Sequence, residues 1–98
     1  MEITQTERKK GRTDEMTKKR TYPATFTPDG EYLFVEFPDI EGAFTQGENW
    51  KEAYEMAEEV LGIVLAEMTE YPAPSSVEDI AARNPQATVA LVSVAVAE

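Results

Sequence analysis

Polar and apolar residues alternate from Thr21 to Thr27, with Tyr22, Ala24 and Phe26 on one side and threonines on the other, which predicts a strand with one buried face. Thr27-Pro28-Asp29-Gly30 reads as a turn, because Pro presets φ, Asp bonds locally and Gly accepts positive φ. A second strand follows over Tyr32–Phe37, with Leu33, Val35 and Phe37 on the core side and Tyr32, Phe34 and Glu36 on the other. Pro38 ends its ladder for want of an N–H, and a short third strand is expected over Gly42–Gln46. Gly42 and Gly47 are read as positions with backbone angles that other residues resist.

The period then changes to 3.6. Trp50, Ala53, Tyr54, Ala57, Val60 or Leu61, Val64 and Met68 form one stripe, which predicts an amphipathic helix from Trp50 to about Met68, with Glu52, Glu55, Glu58 and Glu59 away from it. Asn49 is a good N-cap, and Glu52 stands three residues on, as in a capping box. Gly62 within this helix suggests close packing. The helix stops before Tyr71-Pro-Ala-Pro74. A short second helix is expected with Ser75 as N-cap and Glu78 at the capping-box position, closed by Asn84-Pro85. Thr88–Val96 predicts a last strand, apolar on both faces (Val89 and Leu91; Ala90, Val92, Val94 and Val96). The order is β-β-β-α-(α)-β, an α+β domain with the long helix on one face of the sheet. A right-handed helical crossover would lay the last strand parallel to the first.

Composition narrows the function. The 98 residues contain no cysteine and no histidine, which removes disulfides, thiol nucleophiles, the commonest general base and the commonest zinc ligand. No apolar run is long enough for a membrane span and the start is not signal-like, so a cytoplasmic protein is the expectation. The net charge of −10 is uneven. Residues 1–20 hold seven bases (Arg8, Lys9, Lys10, Arg12, Lys18, Lys19, Arg20) against four acids, a local +3, and read as a disordered basic arm. Met16 is a natural start, which would make the first fifteen residues a leader or an upstream start. Residues 21–98 are the domain, with fifteen acids against Lys51 and Arg83, a local −13. Such a body repels phosphate backbones and suits a basic partner; the competing reading is that surplus acid keeps a small domain soluble.

Carboxylates are the remaining catalytic option. Glu36, Asp39, Glu41 and Glu48 gather around the sheet-to-helix connection, but without the spacing of a calcium loop or metal dyad. No catalytic residue, metal or cofactor is expected. The second apolar face (Tyr32, Phe34, Val89, Leu91) is covered either by a second copy or the chain's own tail, or by a different protein. A homodimer or higher homo-oligomer is the expectation, and Tyr32, Phe34, Glu36, Asp39, Glu41 and Glu48 are the expected partner-binding residues.

The segment Phe-Pro-Asp-Ile-Glu-Gly-Ala-Phe-Thr-Gln-Gly followed by Glu-Asn-Trp-Lys-Glu-Ala-Tyr-Glu-Met-Ala resembles the HicB antitoxins. Phe37, Pro38, Asp39, Gly42, Thr45, Gly47, Glu52, Ala53 and Ala57 fall on that family's signature at fixed spacing, and the resemblance spans residues 21–96. It implies a partial ribonuclease-H-like fold without that enzyme's carboxylates. It also implies binding of a small basic toxin, HicA, that cleaves mRNA and whose active surface the antitoxin would cover. The alternative is a stand-alone HicB-like adaptor with another protein partner. Many family members carry a C-terminal operator-binding module where this chain reaches Glu98, so operator DNA is expected only if such a module is missing here.

Overall fold

The computed structural model describes residues 17–97. Their order is β1 (Thr17–Asp29), β2 (Tyr32–Glu36), β3 (Phe44–Gly47), α1 (Trp50–Ala66), α2 (Val77–Arg83) and β4 (Thr88–Ala97). The four strands form one antiparallel sheet in the order β3-β2-β1-β4. Two sequence expectations move at its start. Thr17–Arg20, assigned to the arm, are the first four residues of β1, because Val94–Ala97 extend far enough to pair with them. Residues 1–16 of the expected arm, with the alternative start at Met16, lie outside the described residues. The turn lies further on than Thr27–Gly30, since Pro28 and Asp29 still pair with Leu33 and Tyr32. Gly30 at φ 65 is the first of two loop residues, the position a type II′ hairpin gives to glycine.

The alternating pattern of β1 divides the molecule. Tyr22, Ala24 and Phe26 face α1 and are buried with Val35, Phe37, Ala53, Ala57, Leu61, Leu65 and Val92. Leu61, not Val60, is the centre of the helix stripe, and Leu65 extends it. Trp50 lies at its edge, with its ring 4.9 Å from that of Phe26. Pro23 and Thr25 point the other way and are buried as well. That is the side of α2, which packs on β4 and β1 with Ile80 fully buried. The domain is therefore three layers around Pro23, Thr25 and Ile80, but β4 is covered fully on one side only: Val92 and Val96 are buried in the core, whereas Leu91 on the other side is 51% exposed.

β4 runs antiparallel to β1, not parallel as expected. A single crossover helix would return the chain to the start of β1. Here α1 carries it down the sheet, and residues 67–87 carry it back before β4 begins. The returning segment passes beside β1 below the end of β2, where the Tyr22 hydroxyl donates to the Pro72 carbonyl at 2.6 Å and the Arg20 guanidinium lies 4.5 Å from the Tyr71 ring centre. Burial raises the Tyr22 pKa, which keeps the phenol a donor.

Candidate functional site

Pro38 and Gly42 shape the connection from β2 to β3. Phe37-Pro38-Asp39-Ile40 closes one turn by Ile40 N–H to Phe37 C=O at 3.0 Å. Ile40-Glu41-Gly42-Ala43 closes the next at 3.2 Å, with Gly42 at φ 83 as a type II turn requires. Phe37 N–H to Ala43 C=O at 3.0 Å locks the pair, and Ile40 and Ala43 turn into the core. Glu41 stands exposed at the tip. Gly47 has another reason to be glycine: a Cβ there would lie 2.6 Å from Ala53 Cα and 2.9 Å from Glu52 C. The strand therefore meets the first turn of α1 backbone to backbone. Asn49 caps that turn, its Oδ1 accepting from Glu52 N–H at 2.8 Å. The Glu52 carboxylate reaches one residue further back than in a capping box, to Glu48 N–H at 2.6 Å.

Of the six expected partner-binding residues, Tyr32, Glu36, Glu41 and Glu48 are exposed, and Phe34 and Asp39 are half-buried. Tyr32, Phe34 and Glu36 alternate along the side of β2 away from α1. β3 pairs outside β2, so the sheet edge here belongs to β3. Phe44, opposite Glu36, brings a third ring: it is 56% exposed, and its centroid is 6.0 Å from that of Phe34. Tyr32 is 42% exposed and borders a cleft with Gln46, Glu48, Glu52 and Met56. Asp39 is half-buried, and its carboxylate accepts from Ser75 N–H at 2.7 Å and Ser75 Oγ at 2.6 Å. Ser75 is thus a tether, and the N-cap of α2 is Ser76, which accepts from Asp79 N–H at 3.0 Å.

Phe44 was legible in the sequence as an aromatic in a short alternating strand; its pairing across from Glu36 was not. Val89 and Leu91, expected to join Tyr32 and Phe34, share their side of the sheet but are separated from them by β1 and α2. The surface is an aromatic strip, Tyr32–Phe34–Phe44, bordered by Glu36, Glu48 and Glu52. The nearby cation Lys51 donates to Glu55 at 2.7 Å, a bond that raises its pKa and offsets its charge. Among the described residues no three acidic side chains converge to hold a metal ion, and no helix is long and apolar enough to cross a membrane.

Residues 22–98 match the family model of the HicB_like antitoxin of bacterial toxin-antitoxin systems. No curated protein sequence matches the chain. Among solved structures, the chain is similar to one in a toxin-antitoxin complex from Streptococcus pneumoniae, at 32% identity and TM-score 0.66, over 79% of this chain and 69% of that one. It is similar to the N-terminal domain of Burkholderia pseudomallei antitoxin HicB at 29% identity and TM-score 0.61, over 76% of this chain and 98% of that domain. The longer HicB chain from Burkholderia pseudomallei aligns at 31% identity and TM-score 0.62, over 76% of this chain and 63% of its own length. The signature residues that build the β2–β3 turns and seat α1, the antiparallel α+β fold and the family match agree: the chain belongs to the HicB-like antitoxins of bacterial toxin–antitoxin systems.

Proposed function

We propose that the chain neutralises a small basic, HicA-type mRNA-cleaving toxin by laying the Tyr32–Phe34–Phe44 strip and its carboxylates over the toxin's RNA-binding surface, without catalysis of its own. The observation that carries this reading is an aromatic strip, exposed at Tyr32 and Phe44 and half-buried at Phe34, inside an acidic border, on a body whose residues 21–98 hold fifteen acids against two bases. A surface that grips RNA is cationic, and carboxylates can stand where phosphates would lie. Aromatic side chains that become fully desolvated carry most of the binding energy in such interfaces, while border charges set the association rate.

The test measures binding kinetics against a purified small basic HicA-type toxin. Phe34→Ala and Phe44→Ala should each speed dissociation by about 30-fold, the size of a hot-spot loss. Glu36→Lys with Glu41→Lys should slow association by roughly tenfold and flatten its dependence on salt. Glu58→Lys with Glu59→Lys, on the exposed side of α1, is the control. If the helix pair weakens binding while the strip variants leave it unchanged, this placement of the interface is wrong.

A further inference from the structure

β1 is much longer than β2, so it is an inner strand only in part. β2 pairs with it from Asp29 back to Thr25, and the stretch from Thr17 to Ala24 has a strand neighbour on its β4 side alone. The direction of its backbone groups follows from the hairpin. In a two-residue loop the closing pair, Asp29 and Tyr32, is hydrogen-bonded, so Thr27 and Thr25 also face β2. By alternation Pro23, Thr21 and Lys19 turn their backbone the same way, past the point where β2 has ended. Pro23 agrees, since its missing N–H then lies on the unpaired side. Leu91 opposite it agrees too, for the Tyr54 hydroxyl donates to its carbonyl at 2.7 Å. Among the described residues no backbone group bonds to Lys19 or Thr21 on that side.

This stretch of edge opens into a cleft of about 370 Å³ between Lys19–Tyr22 and the returning segment Tyr71–Pro74. The segment shelters the edge without pairing to it. Its Pro72 carbonyl is taken by the Tyr22 hydroxyl, and Pro72 and Pro74 have no N–H to offer the Lys19 and Thr21 carbonyls. The charge here is opposite to that of the body. Lys18 and Lys19 are exposed and make no ion pair among the described residues, and the Arg20 guanidinium lies over the Tyr71 ring. Beyond them residues 21–98 have only Lys51, which is held by Glu55, and Arg83 as bases.

We propose that the free edge of β1 at Lys19–Thr21 takes an extended acidic peptide segment of another protein, added to the sheet in line with β2. Backbone and charge together select this occupant. Lys19 and Thr21 offer N–H and C=O at strand spacing, and a peptide satisfies both kinds of group. A phosphate accepts from the N–H groups and leaves the carbonyls bare. A long polyanion such as nucleic acid is also repelled by the fifteen acids of residues 21–98. The peptide residue opposite Lys19 shares its side of the sheet, where a carboxylate pairs with the ammonium. Its neighbours turn to the other side, toward Tyr71 and Pro72, where apolar side chains fit. Among the described residues a second copy has no free acidic strand to offer, since β2 is paired on both sides and β3 and β4 carry no acid. This surface lies apart from the aromatic strip, takes a partner of opposite charge and is tested without toxin.

The test is amide-resolved NMR of the full chain, titrated with a short capped peptide that alternates aspartate and valine. In the free protein the Lys19 and Thr21 amides should exchange quickly with solvent, and those of Arg20 and Tyr22, which face β4, slowly. The peptide should shift and protect Lys19 and Thr21 while leaving Phe34 and Phe44 unmoved. Lys18→Glu with Lys19→Glu should weaken its binding about tenfold or more. Thr21→Pro, which removes an outward N–H in the register that already tolerates Pro23, should weaken it by about tenfold, the loss of one hydrogen bond. The same peptide with lysine for aspartate should not bind. No binding at about 1 mM peptide, equal binding of the lysine peptide, or protection of amides on another strand instead would each overturn the proposal. So would a short single-stranded DNA that perturbs these amides where the peptide does not. If Thr21→Pro unfolds, the charge reversal and the exchange pattern decide alone.

Discussion

At the scale of single residues, two glycines of one sequence have opposite reasons. Gly47 touches the backbone of Ala53 and Glu52, so Gly47→Ala forces β3 away from α1 and should cost about 1–3 kcal/mol, the usual range for overpacking. Gly62 lies mid-helix with open space where its Cβ would be, so Gly62→Ala should stabilise by up to about 1 kcal/mol through helix propensity. Urea denaturation of both variants reads the contrast, and equal effects of the same sign would contradict the packing described. Asp39 and Ser75 form the other residue-scale pair. Asp39→Asn, Ser75→Ala and the double variant should show a coupling of roughly 1–2 kcal/mol in a denaturation cycle, because both carboxylate oxygens accept from one serine. Additive losses would mean that the tether contributes nothing.

The element with least regular structure, the segment from α1 to α2, decides the topology. Its anchors are Arg20 against Tyr71, Tyr22 to Pro72 and Ser75 to Asp39. Tyr22 gives it a pH signature. Below the ordinary tyrosine value of 10.0 the phenol is neutral in folded and unfolded chains, and its contribution is fully present. Burial raises the folded value, so as pH climbs past 10 the unfolded chain loses its proton first and stability falls until the folded value is passed. Tyr22→Phe should lower stability by about 1 kcal/mol at neutral pH. It should also flatten the decline above pH 10. Parallel wild-type and variant stability curves across that range would show that this phenol does not titrate with unfolding.

For the whole molecule, charge and topology assign its sides. Acids line α1 and border the β2–β3 strip, bases gather at Lys18, Lys19 and Arg20 where β1 begins, and β4 is bare of both. The acidic aromatic strip lies at the β2–β3 end of the sheet, and the uncharged strand β4 lies at the other. This division follows from the strand order β3-β2-β1-β4, which puts the two surfaces a full sheet apart.

Much of this was legible in the chain itself. Side-chain period is local, so Tyr22, Ala24 and Phe26 declared a strand face, and the Trp50–Met68 stripe declared a helix. Turn and cap chemistry is local as well, which is why Gly42 and Asn49 were found in their roles. The signature residues carried the family for the same reason, since they build one contiguous turn-and-helix unit. Contacts between distant segments were not legible. Nothing around Asp39 announces Ser75, thirty-six residues away, and a serine beside a serine gives no local sign of which one caps the helix. Nor does β4 state its own direction: its residues suit either pairing, and the length of chain spent returning past β1 decided it. Period and capping are set by neighbours in sequence, whereas strand direction, tethers and free edges are set by where the chain comes back to itself.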